Sequence, residues 1–110
     1  MEDNSFLIKL CDSRIAIIKR TLKQFRSKLD APDEGEVLPL CFVTYVFLHA
    51  KDELSLLIRA NQKAVEVEES PELYSVLKLQ ISEMLRLLKE LIALEDELKA
   101  YLFCPAIDEV

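Results

Sequence analysis

Histidines, cysteines and clustered carboxylates are the side chains most able to do chemistry, and this chain holds few of them. His49 is the only histidine. It lies in Leu48-His49-Ala50, an apolar neighbourhood where a packed or half-exposed helix residue is the ordinary outcome. A carboxylate-bridged di-iron bundle uses paired Glu-x-x-His motifs. Here the position three before the histidine is Val46. An RNA-cleaving site that sets an Arg four to six residues before its His finds Tyr45, Thr44 and Val43 instead.

The three cysteines, Cys11, Cys41 and Cys104, form no Cys-x-x-Cys. A structural zinc site would need all three to converge with His49. Each sits beside apolar residues, as buried thiols do, so the reading is free thiols in a reducing, cytoplasmic compartment. Cys104 is the one expected to be exposed and reactive. The densest acidic cluster is Glu66, Glu68, Glu69 and Glu72. Glu66 and Glu69 supply a Glu-x-x-Glu, half of what a two-helix Mg²⁺ site needs. No Glu-x-x-Asp supplies the other half. A solvated helix end explains the cluster without a metal. No catalytic, cofactor-binding or metal-ligating residues are assigned, and the expectation is a protein that is not an enzyme.

Charge gives the sharpest remaining hint. Residues 1–30 hold seven Lys or Arg against four acids, and the rest of the chain holds seven against sixteen. Lys9, Lys19, Arg20, Lys23 and Arg26 fall on one side of the first helical segment. They could meet phosphates or an acidic partner. Phe25, the one aromatic among them, belongs to the apolar seam, and no Gly interleaves, so nothing supports single-strand recognition. The net charge of −6 also opposes binding to nucleic acid or an anionic membrane by the whole molecule. A nucleic-acid-associated accessory role is therefore the alternative reading, ranked second.

The elements that would position these residues read as helices throughout. The 110 residues suit one domain, and a single Gly leaves little for tight β-turns or phosphate loops. Ile8, Cys11, Ile15, Ile18, Leu22, Phe25 and Leu29 recur at spacings of 3 and 4. Phe6, Leu10 and Ile17 add a second stripe. Asp30 to Glu36 is the clear loop, with Pro32 and the one Gly among acids.

Residues 40–48, LCFVTYVFL, carry enough β-branched and aromatic residues for a buried strand. No other segment offers a strand to pair with. Val43, Phe47, Ala50, Leu54, Leu57, Asn61 and Ala64 also keep the helical 4, 3 spacing. Ser70-Pro71-Glu72 then reads as cap, first helical position and dipole-matched acid. The third helix is apolar over roughly two thirds of its girth, against about 100° for an ordinary surface helix. Leu77, Ile81, Met84, Leu88 and Leu91 form one stripe, Leu87, Leu91, Leu94, Leu98 and Tyr101 another. Tyr74, Leu85, Ile92 and Phe103 widen the face. Glu95 and Lys99 interrupt it as an i,i+4 pair.

The expected fold is all-α. Three long antiparallel helices, about 7–31, 37–68 and 71–103, run up-down-up in one bundle followed by a short tail. Oligomerisation is expected to complete the bundle, because the chain has more apolar girth than three helices can bury. The surplus gathers at one end, on Leu38, Cys41, Tyr45, Leu48, Ile92, Leu98, Leu102 and Phe103. A patch of that kind marks a protein–protein interface. The expected function is a non-enzymatic adaptor or assembly subunit that works by helix packing, most simply as a homodimer. No membrane role is expected, since the longest apolar run, Val37 to Ala50, is too short to span a bilayer.

Overall fold

The computed structural model describes residues 4–30 and 40–108; at residue 40 and over 101–108 it describes the helical backbone alone. Three helices account for nearly all of this: α1 (Ser5–Asp30), α2 (Leu40–Val67) and α3 (Pro71–Asp108). Among the described residues there is no strand. Residues 40–48 are helical, in keeping with the missing strand partner and the unbroken helical spacing. The molecule is a rod of 59 × 22 × 18 Å. Its length is that of α3, whose 38 residues at about 1.5 Å each span nearly 60 Å.

α3 was expected to end near residue 103, but its helix runs on to Asp108. Proline lacks an N–H and its ring crowds the carbonyl four residues back, a cost the helix carries at Pro105 within its last two turns. The first turn of α3 is capped as its sequence implies. Ser70 Oγ accepts the Leu73 N–H at 3.4 Å, and the Ser70 carbonyl accepts the Tyr74 N–H at 2.9 Å. Glu68, in the acidic cluster after α2, is bonded on both oxygens. One of its oxygens accepts the Ser70 N–H at 3.0 Å, the other accepts Asn4 Nδ2 at 2.7 Å. The start of α1 is thereby tied to the α2–α3 connection.

The heptad seams of α1 and α2 are buried as their spacing predicts. Cys11, Ile15, Ile18, Leu22 and Phe25 of α1 meet Val43, Phe47, Leu54 and Leu57 of α2 in one core. The Phe25 and Phe47 rings pack edge to face with centroids 5.2 Å apart. α3 supplies Met84, Leu87, Leu91, Leu94 and Leu98 to the same core. Each large side chain buried here contributes about 1.5–3 kcal/mol before chain entropy opposes it. α1 and α2 both pack mainly on α3 and touch each other least.

Candidate interaction surface

The most ordered chemistry in the molecule is internal. Asn61 sits on the α2 seam and is fully buried, so its amide must be satisfied by protein. Its Oδ1 accepts Cys11 Sγ–H at 3.2 Å. Its Nδ2 donates to Gln80 Oε1 at 3.0 Å and to the Leu77 carbonyl at 3.4 Å. Gln80 Nε2 in turn donates to the Ile8 carbonyl at 2.9 Å and to Asp12 Oδ1 at 2.8 Å. One polar layer therefore joins all three helices, and no buried side-chain nitrogen or oxygen is left without a partner among the described residues. Burial first, and the Asp12 carboxylate second, push the Cys11 thiol up to about 11. A thiol held protonated in this way is a donor, not a nucleophile.

Gln80 corrects the sequence reading of α3. The buried line runs through Leu77, Gln80, Met84, Leu87, Leu91, Leu94 and Leu98, a single 3, 4 seam. Ile81 and Leu88 flank it, half-buried, while Tyr74, Leu85 and Ile92 face outward. Glutamine holds this seam position because the two facing helices offer it three polar partners, Asn61 on α2 and the Ile8 carbonyl and Asp12 on α1.

Ion pairs knit the outer faces. Lys51 Nζ lies 2.6 Å from Glu95 Oε1, and Lys99 Nζ lies 3.3 Å from Oε2. Burial pushes the Glu95 carboxyl up, but hydrogen bonds from Lys51 and Lys99 outweigh it, leaving the group below its ordinary value. The Lys99 partner follows from i,i+4 spacing; Lys51 comes from another helix and left no local signal. Glu83 receives Arg86 at 2.7 Å and Lys19 at 2.7 Å. Hydrogen bonds from Arg86 and then Lys19 hold its carboxyl down at about 2. Lys19 is thus engaged within the chain, whereas Lys9, Arg20, Lys23 and Arg26 are exposed and make no ion pair among the described residues.

The residues assigned to an interface divide. Tyr45 is 62% exposed, Leu48 50% and Ile92 47%, and Cys41 is exposed too. Leu98 is a correction: it is 2% exposed and belongs to the chain's own core. The sequence sets Leu98 on the Leu87, Leu91 and Leu94 stripe but also counts it as surplus girth, and that stripe is the one the core buries. Leu38 and the side chains of Leu102 and Phe103 lie outside the described residues, as does the Cys104 side chain.

The sequence reading left Phe42 and Leu56 out of the interface, although they are 49% and 66% exposed. Their signal was the absence of any charged residue from Val37 to Ala50, and an isolated leucine among the polar residues of the back of α2. Between α1 and α2 runs an open groove of about 370 Å³ lined by Ile17, Thr21, Val46, His49 and Leu56 among others. His49 is exposed there, its ring tilted against Tyr45 with centroids 4.3 Å apart.

Among the described residues no group of three or more His, Cys, Asp or Glu is placed to hold a metal ion. Among the described residues no helix is long and apolar enough to cross a membrane. The fold and its surface define an all-α helical bundle with exposed apolar side chains. No family model matches the chain, and neither does any curated protein or solved structure.

Proposed function

We propose that this protein is a non-enzymatic assembly or adaptor subunit that works by packing its helices against another protein, most simply a second copy of itself. One observation carries the reading. The first half of α2 exposes Phe42, Tyr45 and Leu48 on a stretch with no charge before Lys51, although the same turns already bury Val43 and Phe47 in the core. Apolar side chains clustered this way on both sides of one helix fit a surface that a partner covers. An up-down-up arrangement of the helices goes with the reading. It is supported by the order of the pairs Cys11–Asn61, Arg14–Glu53 and Phe25–Phe47 between α1 and α2, and of Asn61–Gln80 and Lys51–Glu95 between α2 and α3.

The test is the pair Tyr45→Glu with Leu48→Glu in sedimentation velocity. The variant is expected to lose association while circular dichroism stays helical, and Lys23→Glu is expected to leave association unchanged. Equal association by wild type and the double variant would refute the reading.

A second reading, contact with phosphates, draws on the exposed Lys9, Arg20, Lys23 and Arg26. It loses Lys19, which Glu83 holds. Binding to a DNA or RNA duplex is expected to be weak at physiological salt. Tight binding that falls steeply with salt would reverse the ranking.

A further inference from the structure

The back of α2, opposite its seam, is exposed from end to end and carries an ordered sequence of charges. Tyr45, Leu48 and Leu56 project from it at helical spacing, and Asp52 and Arg59 lie between and beyond them, followed by Lys63 and Glu66. None of these four charged residues makes an ion pair among the described residues. Neither Asp52 nor Arg59 has an opposite charge three or four positions away on its own helix. Arg59 even has Lys63 as its i,i+4 neighbour, a like-charge pair that favours an acid from outside.

We infer that this face of α2 pairs with the same face of a second copy of the chain, antiparallel about a two-fold axis, in the register that sets Asp52 opposite Arg59. The inference rests on the assembly reading above and gives it a partner and a geometry. In that register the pair forms twice, as an isologous interface requires. Leu56 falls beside the axis opposite the small Ser55. Leu48 meets the aliphatic stem of Lys63, which keeps its ammonium in water, and the Tyr45 hydroxyl can donate to Glu66.

The alternatives carry like charges. A parallel pairing sets Asp52 on Asp52, Arg59 on Arg59 and Lys63 on Lys63. Sliding the antiparallel pair by one heptad sets Asp52 on Asp52 in one direction and Arg59 on Arg59 in the other. Charge therefore selects one orientation and one register, in the way that flanking charges direct pairing in coiled coils.

The experiment is a charge swap on the full chain, read as the dimer dissociation constant by sedimentation velocity at low salt. Asp52→Arg alone and Arg59→Asp alone each place like charges opposite one another twice, and each is expected to weaken the dimer at least about ten-fold. The double variant restores opposite charges and is expected to return to within about three-fold of wild type. Both sites are exposed, and rescue by the second substitution excludes misfolding as the cause of the loss. A double variant no tighter than the singles overturns the inference. If the singles dimerise like wild type but Tyr45→Glu with Leu48→Glu does not, the apolar association stands and this register falls. A wild-type chain that stays monomeric at micromolar concentration also overturns it, and leaves the assembly reading only a different protein as partner.

Discussion

Replacing Asn61 by Ala should be among the costliest single changes in this protein. Asn61 is fully buried and holds the layer between Cys11 of α1 and Gln80 of α3. Alanine removes the only amide that donates to Gln80 Oε1 among the described residues. A buried acceptor left without a donor costs about 1–3 kcal/mol. The Leu77 carbonyl adds little, because it also lies inside α3, where a helical N–H serves it. The Cys11 thiol is a weak donor and adds little as well. The space vacated by the carboxamide adds roughly 1 kcal/mol if it stays empty. The sum is about 2–4 kcal/mol, a large share of the roughly 5–15 kcal/mol that holds a domain of this size folded.

Urea unfolding followed by circular dichroism measures the cost, and a cycle with Gln80→Ala measures how much of it belongs to the pair. Coupling of about 1 kcal/mol is expected. Replacing both residues with Leu should cost less than the two Ala changes summed, because Gln80 Oε1 is no longer stranded and only the weak Cys11 thiol donor loses a buried acceptor. A cost below about 0.5 kcal/mol for Asn61→Ala, or additive single changes, would refute the reasoning, since it would mean the bond between the two amides contributes nothing.

Alkylation should separate the two cysteines whose side chains are described. Cys41 is exposed and should react with iodoacetamide in the native protein, whereas Cys11, buried with its thiol held up at about 11, should react only on unfolding; equal native rates would contradict its burial. The Glu83 carboxyl is lowered in the folded state, so its stabilisation is present above the ordinary value near 4.5 and is lost as pH falls toward about 2. Glu83→Gln should flatten stability across that acid window, and an unchanged profile would show that Lys19 and Arg86 do not hold it. Lys51→Met leaves the buried Glu95 with Lys99 alone, and about 1–3 kcal/mol should be lost in urea unfolding. Unchanged stability would mean the shorter of the two pairs carries no net energy.

How much of this was legible in the sequence varies by helix. The seam of α1 was readable because polar residues lie behind most of it, and that of α2 because its 4, 3 spacing runs on unbroken into a second half with polar residues behind it. α3 offered two overlapping apolar stripes, and hydropathy favoured Ile81 over its neighbour Gln80. The winning choice depends on what faces the helix: Asn61 and the start of α1 give Gln80 its partners, and those contacts are fixed only by the packing of three chain segments far apart in sequence. Asn61 itself was visible as a seam residue, and its amide was the clue that a second buried polar group had to exist. Glu95 showed its Lys99 partner through local spacing but not Lys51, forty-four positions away. The candidate surface was legible as excess apolar girth on α2. Its members were not all legible, because with two apolar stripes on α3 spacing alone does not say which one, and with it Leu98, the core takes.

On the proposed reading, the exposed apolar face of α2 is covered by another protein, most simply a second copy. Light scattering on the purified wild-type chain at micromolar concentration tests it most directly. A dimer of twice the chain mass of 12.7 kDa is expected. A stable monomer that stays in solution with Phe42, Tyr45, Leu48 and Leu56 open to water would contradict self-association.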